Sequence, residues 1–153
     1  MSSTPPAVAD DETWSVTRIV RIDAPRSRVW QTLVTADLIS RWFDVTARFE
    51  RVALGESGVF AAEGYGDIPV RIEEFQPESA FGYRWGTPGE SLRDDNSTLV
   101  RFTLDDEGDG TVLSVVETGF GLLAGGDDAR RASLGEHREG WDTELDSLIA
   151  FVS

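Results

Sequence analysis

From Asp128 to Ser153, apolar positions return every three or four residues. Leu134, Arg138, Trp141, Leu145, Leu148 and Val152 fall on one stripe, with Ile149 beside them. This is the spacing of a helix that buries one face. Glu136, Glu139, Asp142, Thr143, Asp146 and Ser147 occupy the opposite face, which is expected to meet water. A Trp on the apolar stripe needs a concave surface to receive it. Two starts are open: Asp127 and Asp128 capping a helix from near Ala129, or Ser133 with Glu136 forming a capping box after a break. One long helix with a loose first turn is the expectation.

Upstream, the pattern changes period. Trp14 to Ile22 reads WSVTRIVRI and puts Trp14, Val16, Val20 and Ile22 on one face of a first strand. Ala24-Pro25 marks a helix start, because Pro tolerates the first helical position and pushes the residue before it out of helical space. A short helix from Pro25 to Leu33 follows, with Val29, Trp30 and Leu33 inward. Thr35 is then expected to cap a second one, Ala36 to about Arg41, that delivers Trp42 and Phe43. Helices this short must pack on a sheet to persist. Six further strands are expected at 45–52, 57–62, 68–75, 80–85, 97–104 and 111–118, separated by Gly- and Pro-bearing turns. Their close spacing implies an antiparallel meander. Alternation places Phe60, Ile68, Val70, Ile72, Phe81, Tyr83, Trp85, Val100, Phe102, Leu104, Leu113 and Val115 inside, with Arg71, Glu73, Arg84, Arg101, Thr103 and Ser114 outside. A curved sheet with one long helix across its concave face buries all these stripes.

Composition narrows the function classes. At 153 residues, one domain is expected over 14–153, behind a short disordered tail at 1–13. There is no cysteine, so disulfides and thiol chemistry are excluded. No apolar run approaches the ~20 residues of a membrane span, and the N-terminus has no signal-peptide pattern, so a cytoplasmic location is expected by default. The formal net charge is −14, from 28 acidic and 14 basic residues, and every basic residue is arginine. Such a surface repels nucleic-acid phosphates and anionic headgroups. The lack of lysine fits either a GC-rich genome or adaptation to high salt.

Ala24-Pro25 with Val29-Trp30, Arg41-Trp42-Phe43, Gly110-Thr111, Gly119-Phe120, and His137 with Gly140-Trp141 appear in an order and spacing that resembles one known family. It is the activator of 90-kDa heat-shock-protein ATPase homologue family, of the START-like (SRPBCC) helix-grip superfamily. The chain departs from it at Ser57-Gly58, where the family usually carries a Gly pair. The resemblance implies an α+β helix-grip fold: a curved seven-stranded antiparallel sheet around a long C-terminal helix, two short helices after the first strand, and a cavity between sheet and helix. In the superfamily that cavity holds lipids, hormones and polyketides, and some members catalyse cyclisation or dehydration. Two-domain eukaryotic relatives modulate a chaperone ATPase, a stress-response role. Those relatives carry an additional N-terminal domain, whereas only about thirteen residues precede the fold expected here.

Nine aromatics converge on the expected interior: Trp42, Phe43, Phe60, Tyr65, Tyr83, Trp85, Phe102, Phe120 and Trp141. They read either as plain core or as the lining of a ligand cavity, and Tyr and Trp favour the lining because a buried OH or NH needs a partner. Glu74 and Glu117 fall at strand positions that can turn inward near the cavity mouth, and Arg138 edges the helix stripe. With Tyr83 they are the candidate catalytic residues, since a carboxylate–arginine pair in a half-dry pocket fixes a polar group or shifts a pKa. His137 is the only histidine, without a second His or a Cys to share a metal, and is expected to be structural or on the helix surface. Asp105 to Gly110 lacks the Glu that closes a calcium loop. No metal and no cofactor is expected. The leading expectation is a domain that binds a small hydrophobic or amphipathic molecule. The alternatives are a cyclase-, dehydratase- or hydrolase-type enzyme in the same cavity and a chaperone-modulating protein. A chaperone and a second copy of the chain stay open as partners.

Overall fold

The computed structural model describes residues 4–153. The meander expected from turn spacing forms one antiparallel sheet, reached from both chain ends. The elements are β1 (Val8–Asp10), β2 (Ser15–Ile22), α1 (Arg26–Val34), α2 (Ala36–Trp42), β3 (Thr46–Arg48), β4 (Ser57–Ala62), β5 (Gly66–Gln76), β6 (Ala80–Gly86), β7 (Ser97–Glu107), β8 (Gly110–Thr118) and α3 (Gly126–Val152), with a 3-10 turn at Phe120–Leu122 before α3. The strand order is β1-β2-β8-β7-β6-β5-β4-β3. β3 to β8 are neighbours in sequence, and β2 closes on β8 through a continuous register from Ser15↔Thr118 to Ile22↔Thr111.

The sheet has eight strands where seven were expected. The extra one, β1, lies in the segment expected to be a disordered tail; residues 1–3 of that tail fall outside the described residues. β1 pairs with β2, and Ala7 just before it is buried, its N–H donating to the Asp142 carboxylate on α3 at 2.6 Å. The strand expected at 45–52 shrinks to Thr46–Arg48. Beyond it, Phe49 turns onto β4, where a Cβ on Gly58 would stand 2.3 Å from the Phe49 ring. That close approach requires glycine at position 58. Trp14 was expected to share the inner face of the first strand. It instead takes φ 53° in the turn between β1 and β2, with the Arg131 guanidinium 5.8 Å from its ring.

Helix boundaries follow local chemistry with small shifts. Pro25 stands at the N-cap of α1, and Val29, Trp30 and Leu33 are buried as expected. Thr35 occupies the N-cap of α2 but makes no capping bond; its hydroxyl lies 3.4 Å from Gln31 Oε1 instead. α3 is one 27-residue helix that starts at Gly126, not Ala129, behind Gly125 in the left-handed region. Asp127 and Asp128 therefore sit in its first turn, where they complement the positive end of the helix dipole. Leu134, Trp141, Leu145, Leu148 and Val152 are buried against the sheet.

The expected inner face holds, with Val70, Ile72, Phe81, Tyr83, Val100, Phe102, Leu104, Leu113 and Val115 all buried. Arg18 joins them. It occupies an inward position between Val16 and Val20 and is only 3% exposed. Its guanidinium donates to the backbone carbonyls of Pro5, Trp141 and Asp142 and to the Asp146 carboxylate at 2.7 Å. The N-terminal segment, β2 and the middle of α3 are clasped by this one side chain.

Candidate functional site

β8 alternates Leu113, Val115 and Glu117 toward the core. The third of these places a carboxylate on the inner face, and Glu117 is fully buried. Its surroundings all donate. Thr98 on β7 gives its hydroxyl proton to Glu117 Oε2 at 2.5 Å, and Trp85 on β6 donates Nε1–H to the same oxygen at 2.9 Å. Trp141 on α3 donates Nε1–H to Oε1 at 2.8 Å. One turn earlier on α3, His137 Nδ1 lies 2.9 Å from Oε1 and 2.8 Å from Oε2. Positions 137 and 141 share a helix face, so a single carboxylate reaches both.

Burial alone would push the Glu117 carboxyl up. The charge of His137, with hydrogen bonds from His137, Thr98 and Trp85, more than offsets that and holds it below the ordinary carboxylate range. His137 moves the opposite way: burial opposes its charge, but the Glu117 charge and hydrogen bond, with Glu136 nearby, raise it. Tyr83, packed behind the pair, is pushed well up by burial and then by the Glu117 and Glu144 charges, so its phenol is neutral.

The space between sheet and helix is mostly filled with rings. Phe60 packs on Tyr83 at 5.4 Å between centroids, Phe102 on Trp141 at 5.7 Å, and Phe43 stacks on Trp141 at 6.0 Å. Free volume opens along one side of α3, from Ala129 to Glu144. A cleft of about 680 Å³ runs between the β6–β7 connection and the start of α3. A second, of about 600 Å³, runs between α3 and the segments around Phe43 and Ala62. Both are lined by Tyr65, Ile68, Trp85, Pro88, Glu136 and His137, so they meet at His137.

This geometry sorts the expected site residues. Trp85 lines both clefts, and Tyr65, 80% exposed, stands at their rim. Phe43 and Trp141 line the second cleft. Trp42 is buried with its Nε1–H on the Thr32 carbonyl and borders a smaller groove of about 440 Å³ beside Phe43. Phe60, Tyr83, Phe102 and Phe120 are core and line none of these clefts.

Among the catalytic candidates, Glu117 turns inward and Glu74 does not. A bulge between Ile72 and Glu74 inserts Glu73 and flips the alternation, so Phe75 faces the core and Glu74 the outside. There Glu74 binds Arg101 at 2.6 Å, a hydrogen bond that lowers its carboxyl pKa. Arg138 pairs with Asp142 at 3.3 Å and does not reach Glu117. The expected carboxylate–arginine pair is replaced by carboxylate–histidine. His137, expected to be structural or on the helix surface, is the group that connects the buried charge to the clefts. Two signals in the chain pointed there: the 137/141 spacing on α3 and the inward parity of Glu117 with Leu113 and Val115.

A concave antiparallel sheet gripping a C-terminal helix, with a polar group between sheet and helix, defines a START-like helix-grip protein. The chain belongs to the family described as activator of Hsp90 ATPase homolog 1-like protein, whose model matches residues 23–153. CalU16 from Micromonospora echinospora is similar at 26% identity and TM-score 0.68, over 90% of this chain and 73% of that one. A protein from Arthrobacter aurescens shares the fold at TM-score 0.78 and 14% identity, over 98% of this chain and 92% of that one. DynU16, a protein of the dynemicin biosynthetic locus, shares it at TM-score 0.71 and 19% identity, over 93% of this chain but 47% of its own. No curated protein matches the chain. Among the described residues, no cluster of three or more His, Cys, Asp or Glu could hold a metal ion, and no helix is long and apolar enough to cross a membrane.

Proposed function

We propose that this protein binds a small amphipathic molecule in the joined clefts beside α3. One observation carries the reading. Two clefts of about 680 and 600 Å³ share a wall of Tyr65, Ile68, Trp85, Pro88, Glu136 and His137, and His137 is the polar side chain of that wall anchored on a buried carboxylate. Ligand sites in this size range combine apolar walls with a few fixed polar groups. The polar group here is held by Glu117, so it needs no reorganisation on binding. DynU16, which shares the fold, is a protein of the dynemicin biosynthetic locus.

The test is native mass spectrometry on gently purified protein, followed by extraction of whatever is bound. The expected result is an adduct on the order of a few hundred daltons, the size such a cleft encloses. The adduct should be lost when Trp85→Ala opens the shared wall. A clean mass, together with no stabilisation by any member of a small-molecule panel, overturns the reading.

A second reading, enzymatic turnover in the same clefts, is favoured by the Glu117–His137 pair, since a carboxylate that orients a histidine is the arrangement of a general acid or base. Returning the extracted molecule to the stripped protein distinguishes the two. Turnover gives a new mass that His137→Ala no longer produces, and simple binding returns the molecule unchanged.

A further inference from the structure

Glu117 sets the protonation of His137 by geometry. Thr98 Oγ1 already accepts a hydrogen bond from Trp85 Nε1 at 3.0 Å, so its own proton points to the carboxylate. Both indoles can only donate. Every contact of Glu117 thus favours the ionised form, and no arginine touches it. A buried carboxylate needs a cation in contact, and His137 is the group placed to supply one. Its Nδ1 therefore carries a hydrogen toward Glu117, and the charged ring carries a second on Nε2. Among the described residues Nε2 has no hydrogen-bond partner, while the ring lines both clefts. It is a donor aimed at whatever the clefts hold.

The other charges around His137 narrow what that can be. Glu136 stands beside it on α3, and the β6–β7 connection brings Arg93, already bonded to Glu90 and Asp95. On the second cleft the facing groups are Asp44, Glu63 and Glu144, all acidic. With Glu117 and His137 cancelling each other, the site has no surplus positive charge to hold an anion. Where the two clefts meet, it offers the His137 N–H beside Trp85 and Pro88, with Trp141 on the second cleft.

We infer that the ligand presents a neutral carbonyl oxygen on a flat apolar body, and that His137 Nε2–H donates to that oxygen. The inference rests on the binding reading above and adds its chemical class. Because the carbonyl binds the protonated ring, affinity is highest below the His137 pKa and falls as pH rises through it. By linkage, the ligand raises that pKa further.

The experiment uses the full, untagged chain, in which His137 is the only histidine and its ring resonances need no assignment. Three probes share a naphthalene body substituted at one carbon: acetylnaphthalene, its near-isostere ethylnaphthalene, and naphthoate. Dissociation constants come from calorimetry, and the His137 titration from proton NMR with and without probe. The ketone should bind about tenfold tighter than the ethyl compound, as expected for a hydrogen bond from a charged donor. Naphthoate should bind more weakly than the ketone, and the ketone preference should vanish as His137 deprotonates.

Equal binding of ketone and ethyl compound, tighter binding of naphthoate, or a ketone affinity that rises with pH overturns the inference but leaves the binding reading standing. No binding by any probe overturns the inference, and the binding reading falls with it only if the native mass is also clean and the panel gives no stabilisation. His137→Phe should keep the ethylnaphthalene affinity and lose the ketone preference. Should that variant fail to fold, Glu117→Gln serves instead. It keeps His137 but removes its counter-charge, so the pH at which the ketone preference is lost should move down; an unchanged midpoint counts against the inference.

Discussion

Two side chains carry charge into the interface between the sheet and α3, and they differ in every respect that matters for function. Arg18 and Glu117 both lie at inward positions of neighbouring strands, β2 and β8, and both are nearly or wholly buried. Arg18 is closed off from solvent. It is covered by the segment at Pro5 and Ala7, and its partners are helix carbonyls and the carboxylates of Asp142 and Asp146. Glu117 has a titratable partner, and that partner faces two clefts. The first charge is sealed and locks the middle of the helix. The second is reached from the clefts through its partner His137, and an accessible, titratable, preorganised group of that kind is what a ligand can use.

Breaking each pair should expose that difference, and the largest effect is expected at His137. Removing it in His137→Ala strands a buried carboxylate, a change that costs about 3 kcal/mol or more when a buried pair loses one member. Urea unfolding near neutral pH reads the loss. The loss should shrink in acid, where Glu117 can protonate, and a deficit that stays constant with pH contradicts the account. Arg18→Met keeps much of the packing but loses the guanidinium hydrogen bonds, and about 2 kcal/mol is expected. That deficit should be the same from mildly acid to mildly alkaline pH, because arginine does not change charge there.

The pair also sets a pH window. The folded-state pKa of Glu117 is depressed, so its contribution is present above the ordinary carboxylate range and lost as pH falls through the lowered value. That of His137 is raised, so its contribution is complete below the ordinary histidine range and lost as pH rises through the raised value. Stability from the pair should therefore be greatest between the two, and thermal melting of wild type against Glu117→Gln across pH should show the difference peaking there. The smallest effect is expected at Glu74. Its ion pair with Arg101 lies on the outer face, so Glu74→Gln should change stability by no more than about 0.5 kcal/mol. Ligand affinity should be unchanged, and a loss of ligand in that variant would return Glu74 to the site.

Much of the arrangement was legible as pattern. Strand alternation named the inner face from Phe60 to Val115, helical spacing named the buried stripe of α3, and Pro25 marked the start of α1. Glu117 was legible by the same parity rule. Glu74 was misread by that rule, because a bulge is a property of paired strands and leaves little trace in one of them. β1 escaped because three residues pairing with an edge carry almost no periodicity, and the Asp142 carboxylate that holds the segment at Ala7 is remote in sequence. His137 escaped because a lone histidine gains meaning from its partner, and the partner is 20 positions upstream on another element.

The chain alone determined most of its elements and buried faces, its acidic lysine-free surface and its family, since these depend on local periodicity, composition and the order of short motifs. Tertiary structure decided which inward carboxylate meets which cation, that the rings close most of the grip, and that the remaining space opens at His137. Those outcomes depend on strand register, on one bulge and on how large side chains share a volume. All three are settled only when distant segments pack together.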